Sequence, residues 1–162
     1  MKDYFYFEGD TLHVEYSLTI PADQKVVWQY LTETEKISEW FAEIEVGELK
    51  RNGHMVFRLP DSEITMPILS FVQDKEISYE WGGVGSVCFD LTSTTEGTKL
   101  YFYETLPADF SYRIRDITGW SMALKRLKQV VLGEQTTFDM DEFQEIKKRY
   151  RQRIADLKPR ND

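Results

Sequence analysis

The sequence predicts an α+β fold, a curved antiparallel sheet of six to seven strands wrapped round one long C-terminal helix, with an extra strand before it and an extra helix after it. Three observations predict this. From 43 to 105 the chain reads almost entirely as short strands, and the turn-rich connections between them are brief enough to force antiparallel neighbours. A long amphipathic helix follows, its apolar stripe made by Trp120, Ala123, Leu124, Leu127 and Val131. Finally, 162 residues are most simply one domain, large enough to bury a full core without staples.

Each element has a local reason. The stretches DYFYF and LHVEYSLTI flank Glu8-Gly9-Asp10 and read as two strands. In the second, Leu12, Val14, Tyr16, Leu18 and Ile20 alternate with polar residues, the mark of a half-buried strand. Then the period changes. Pro21 suits the first turn of a helix, Asp23 adds a favourable negative charge there, and Val27, Trp28 and Leu31 make one apolar face. Thr34 is placed to cap a second short helix, 35–40, which ends at Trp40-Phe41. EIEVGEL meets HMVFRL across Arg51-Asn52-Gly53, a strong hairpin signal. Further strands read near 64–72, 76–82, 86–94 and 98–105. Pro67 has no N–H to give a ladder and marks a bulge or an edge. The long helix begins between Ser111 and Gly119 and runs to about Leu132. Beyond Gly133, Asp139 and Glu142 make a capping box for a last helix, along which Phe143, Ile146, Tyr150, Ile154 and Leu157 share one side. That side needs cover, and docking on its own domain is a simpler means than a subunit contact.

Composition narrows the partners. A net charge of −8, from 28 acidic against 20 basic residues, repels phosphate backbones and anionic lipid, so neither nucleic acid nor membrane is an expected partner. The local exception, KKRYRQR at 147–153, reads as the solvated face of a helix. No apolar run approaches the roughly 20 residues that cross a bilayer. The leading MKDYFYFEGD lacks the apolar core and cleavage site of a secretion signal, and the single cysteine, Cys88, forms no internal disulfide. A cytoplasmic location is the expectation.

Catalytic and metal-binding patterns are thin. His13 and His54 lie apart within strands and lack HxxxH or HExxH spacing, so no metal and no cofactor is expected. Gly82-Gly83-Val84-Gly85 precedes a strand, whereas a phosphate loop precedes a helix; it reads as a hairpin turn. Carboxylates are plentiful, but spacing places no two of them together, and no catalytic residue is assigned. Cys88 points away from the core if Val87 and Phe89 point in. In YFYE, 101–104, rings fall on both faces of one strand, so parity leaves open whether Tyr103 or Glu104 points inward. A buried Glu104 would need a partner and would suit a ligand hydroxyl or amine.

What remains is the apolar interior. Strand parity and helical spacing turn Phe57, Met66, Ile68, Tyr79, Trp81, Phe89, Trp120 and Leu124 inward, and Trp40 and Phe41 sit where the short helices close one end. Any such fold needs these residues for its core, and they line a pocket for an apolar molecule if the grip between sheet and long helix is incompletely filled. The Tyr79 hydroxyl and the indole N–H groups of Trp81 and Trp120 can orient a molecule held there. Of the pair in SEWF, one ring is expected in the core and the other facing that space.

The order VVWQYLT (26–32), EWF (39–41), meander, then GWSMALKRLKQVV (119–131) resembles the START-like, helix-grip superfamily (SRPBCC). Within it the chain is similar to the branch of the C-terminal domain of the activator of Hsp90 ATPase. The branch's VWxxLT corresponds to Val27, Trp28, Leu31 and Thr32, its W-F pair to Trp40-Phe41, and its closing helix to Gly119, Trp120, Leu124 and Leu127. The resemblance spans about 11–132, leaving the first strand and a helical extension at about 138–158 outside it. It implies one START-like domain over 1–162 that holds a small apolar or aromatic ligand without catalysis. It also implies two alternatives: a protein-interaction or co-chaperone-like domain of stress response, with a protein partner or a homodimer through the C-terminal helix, or a cavity enzyme of cyclase or hydrolase type.

Overall fold

Alternating apolar residues build a sheet that starts at the N-terminus. In the computed structural model, which describes residues 1–157, β1 (Lys2–Glu8) and β2 (Thr11–Ile20) form a hairpin, and β2 buries every second side chain from Leu12 to Ile20. Two short helices follow, α1 (Gln24–Thr32) and α2 (Thr34–Ile37). The meander is β3 (Ile44–Glu48), β4 (His54–Arg58), β5 (Glu63–Val72), β6 (Glu76–Trp81), β7 (Gly85–Thr94) and β8 (Gly97–Leu106). The long helix is α3 (Arg113–Val131) and the last is α4 (Met140–Leu157).

The strand order is β1-β2-β8-β7-β6-β5-β4-β3, antiparallel throughout. The sheet has eight strands against the six to seven expected, because β1 pairs with β2 along its whole length and becomes an edge of the same sheet. The bend lies in β5. Its first half pairs with β4 as far as Pro67 opposite His54, its second half pairs with β6, and the register shifts between Ile68 and Ser70. A residue that cannot donate to a ladder sits where the strand changes partners.

Three local expectations change. Asp23 is the N-cap of α1, its carboxylate accepting the Lys25 N–H at 2.9 Å, so Pro21 lies ahead of the helix. Thr34 does not cap α2; its Oγ1 accepts the Val46 N–H at 2.9 Å and ties helix to strand. Asp139 accepts the Asp141 and Glu142 N–H groups, but the Glu142 carboxylate turns to Lys125 at 2.7 Å, so only half of the capping box forms.

Helix α3 lies across the sheet. The Tyr16 hydroxyl donates to the Ile117 carbonyl at 2.7 Å, and the Trp120 ring packs on Phe102 and Phe89 with centroids 4.7 and 5.9 Å away. Helix α4 docks beside it on its own chain. Tyr150 meets Phe5 edge-on at 4.9 Å, its hydroxyl lies 3.2 Å from Ser121 Oγ, and Arg153 pairs with Asp3 at 2.6 Å. Tyr150 and Ile154 are buried, whereas Leu157 is exposed because the stripe turns away at the helix end. Position 158, where the expected extension ends, lies outside the described residues.

Candidate functional site

The two rings of SEWF divide between core and cleft. Past the end of α2, the amides of Trp40 and Phe41 both donate to the Ile37 carbonyl, which winds the chain into a tight turn. The turn sends the two side chains in different directions. Trp40 is buried, its Nε1 donating to the Tyr30 carbonyl at 2.8 Å, with Phe89 and Trp120 as ring neighbours at 6.2 and 6.4 Å. Phe41 faces outward across Trp120 at 5.1 Å, Trp81 at 5.7 Å and Phe57 at 6.3 Å. These four rings line a cleft of ≈ 690 Å³ at one end of the grip between sheet and α3, with Asp116 and Gly119 of α3 completing the inner wall. Ala42 and Glu43, residues 110–112, and Phe138 and Phe143 bound it further out.

Two glycine positions shape this space. Gly82 and Gly83 take φ of +64° and +80° in the turn between β6 and β7, and a Cβ at Gly82 would stand 2.3 Å from the Phe110 ring. The glycine therefore lets Phe110 lie on bare backbone and form a wall. At Gly119 a Cβ would meet nothing within 4 Å, so the helix leaves open room where it faces the cleft.

The floor is polar. Asp116 Oδ1 accepts from Trp81 Nε1 at 2.8 Å. Behind it Glu104 is buried on β8, in the inward register of Phe102 and Leu106. Both Glu104 oxygens, Asp116 Oδ2 and Trp120 Nε1 are buried without a hydrogen bond of good geometry. Burial pushes the Glu104 carboxyl well above its ordinary 4.5, and the Asp116 charge pushes it the same way, against the Trp120 N–H. Burial also raises Asp116, opposed by its contacts with Glu104 and Trp81. Both carboxyls are thus pushed toward the protonated form, Glu104 the more strongly.

Of the ten residues selected from sequence, Phe41, Phe57, Trp81 and Trp120 come together at the cleft. Trp40 and Phe89 stand behind Trp120 in the packed layer, with Tyr79 against Phe89 at 6.1 Å. Met66, Ile68 and Leu124 are buried elsewhere in the core and line no part of the cleft. The Tyr79 hydroxyl, raised by burial, keeps its proton. Cys88 is half-buried on the opposite face from Val87 and Phe89; burial, with Glu76 and Asp90, pushes its thiol up to about 12, so it stays protonated and unreactive. Sequence reasoning missed Asp116, Gly119 and Phe110 as site residues. The spacing of Asp116 and Trp120, one helical turn apart, was the available signal. Among the described residues no three His, Cys, Asp or Glu side chains gather to hold a metal, and no helix is long and apolar enough to cross a membrane.

Comparison with known proteins places these features in a family. Residues 21–132 match the family model of the Activator of Hsp90 ATPase homolog 1-like protein. A search among curated proteins finds no match. Among solved structures, the conserved protein of unknown function EF2215 from Enterococcus faecalis is 38% identical, covering 98% of this chain and 93% of its own, with a TM-score of 0.90. CalU16 from Micromonospora echinospora (20% identity, 91% and 87% covered, TM-score 0.65) shares the fold. So does the Aha1 dimer from Colwellia psychrerythraea (16% identity, 74% and 95% covered, TM-score 0.62). With its family model matched over most of its length and its sheet gripping α3, the chain belongs to the Activator of Hsp90 ATPase homolog 1-like family, in the START-like helix-grip fold.

Proposed function

We propose that the protein is a binding module, one unit over 1–162, that holds a small apolar or aromatic molecule without transforming it. The observation that carries this reading is the cleft itself. Its volume of ≈ 690 Å³ falls within the range of small-molecule sites, and its walls combine four large rings with a few convergent polar groups. The open room at Gly119 supports the same reading, since a helix that faced only core would gain contacts from a larger residue there.

The test uses that glycine. Gly119→Leu projects a side chain into open space and should leave the fold intact while filling the cleft. A panel of small aromatic and polyketide-like compounds should raise the melting temperature of the wild type, and the shift should vanish in Gly119→Leu. Shifts that persist undiminished in the variant, or a panel with no effect on the wild type, would remove the reading.

A second reading, a protein-interaction or co-chaperone-like domain, draws on family membership and on Phe138, just before α4, and Met140, its first residue, each 55% exposed. The Colwellia Aha1 neighbour was solved as a dimer. Adding the purified protein to an Hsp90-type chaperone and following ATP hydrolysis decides it: acceleration favours the second reading, and an unchanged rate removes it.

A further inference from the structure

The floor of the cleft carries two carboxyl groups that form no ion pair with a basic group among the described residues. Asp116 and Glu104 take part in none of the ion pairs found there, and the donors that face them are two indole N–H groups. Both Glu104 oxygens, Asp116 Oδ2 and the Trp120 N–H are buried with only loose contacts among themselves and no hydrogen bond of good geometry. Buried charges in folded proteins are normally paired, and a partly satisfied polar network costs more than an apolar one. Such a group beside a cleft points to a partner that comes from outside the chain.

The surroundings specify its charge. Phe41, Phe57, Trp81 and Trp120 border the same space, and aromatic faces carry the negative lobe of the ring quadrupole. Ring faces and a carboxylate attract the same kind of group, an organic cation. Two basic residues also line the cleft: Arg115 is exposed, and half-buried Arg126 is turned to the Trp40 carbonyl, to which it donates at 3.2 Å. An exposed charge such as that of Arg115 is screened by water and salt more than a buried carboxyl is.

We propose that the cleft selects molecules joining an aromatic or apolar body to a protonated amine, with the ammonium group lodged against Asp116 among the rings of Phe41, Phe57, Trp81 and Trp120. The proposal rests on the reading of the cleft as a ligand site. Glu104, buried in contact with Asp116, acts as a positioning residue for it.

Matched probes test it: 2-phenylethylamine against 2-phenylethanol, and 1-naphthylmethylamine against 1-naphthylmethanol, titrated at neutral pH into the wild type, Asp116→Asn and Gly119→Leu. The wild type should bind each amine roughly tenfold or more tightly than its alcohol, the worth of a charge-assisted hydrogen bond. Asp116→Asn keeps the side-chain shape and an acceptor for Trp81, and should bring the ratio to about one while alcohol binding persists. The wild type alone supplies a check that needs no variant. The amine should shift the indole N–H resonances of Trp81 and Trp120 more than those of Trp28 and Trp40, and an amine preference without that pattern overturns the proposal. Equal affinity for amine and alcohol, or a preference surviving in Asp116→Asn, also overturns it. If binding is lost in Gly119→Leu, the cleft reading stands in those cases. No binding by any of the four probes overturns both.

Discussion

Glu104 shows how one residue can couple the candidate site to stability. Burial pushes its carboxyl well above its ordinary value of 4.5, so between that value and the raised folded one the folded state binds more protons than the unfolded. The sign follows directly. The associated stability is fully present at acid pH below that value and declines as pH rises toward the raised folded value, by at most about 1.4 kcal/mol per pH unit for one proton. Glu104→Gln removes the titration while keeping the shape. Urea unfolding at several pH values from 5 to 8 should show the variant with a flatter decline than the wild type and greater stability at the alkaline end; parallel curves would refute the assignment. Glu104 was half legible in the sequence. Leu100, Phe102 and Leu106 share its parity and are buried, but Tyr101 and Tyr103 place rings on the other face and mask the alternation. Its partner Asp116 was not legible, because 12 residues and a change from strand to helix separate them and only the packing of α3 on the sheet brings them together.

At the scale of elements, the turn between β6 and β7 is more than a link. Its glycines accept positive φ, and the absence of a side chain at Gly82 gives Phe110 its seat. Gly82→Ala faces both a strained backbone and a ring 2.3 Å from the new Cβ. It should cost about 1–3 kcal/mol and displace Phe110 from the cleft wall; chemical denaturation measures the first, and weaker compound binding reports the second. The sequence identified this turn correctly as a hairpin connection, yet nothing local to it foretold a ring arriving from residue 110. Elements whose cause is local were legible throughout: the alternation in β2, the hairpin at Asn52-Gly53, the stripe on α3. The boundaries that moved, at Pro21, Thr34 and Glu142, did so because each side chain or its expected position was claimed by a neighbouring cap, strand or ion pair.

At the scale of the molecule, the first strand and the last helix form one extension of the family core. Phe5, Tyr16 and Tyr150 pack together, and Asp3 receives Arg153. Tyr150→Ala should therefore destabilise the whole chain by about 3 kcal/mol or more, the usual cost of emptying a buried aromatic site. Urea unfolding checks it, and a loss below about 1 kcal/mol would mean that α4 adds little to the fold. Sequence periodicity gave the helix its apolar side but could not say which surface received it. That depends on the sheet extending one strand further than its core.

Asp3 and Arg153 stand 150 residues apart along the chain. At ribosomal speeds of about 5–20 residues per second, the strand holding Phe5 waits on the order of ten seconds for the helix that shelters it. During translation, then, the newborn N-terminal hairpin spends its longest unguarded interval before its cover has been made.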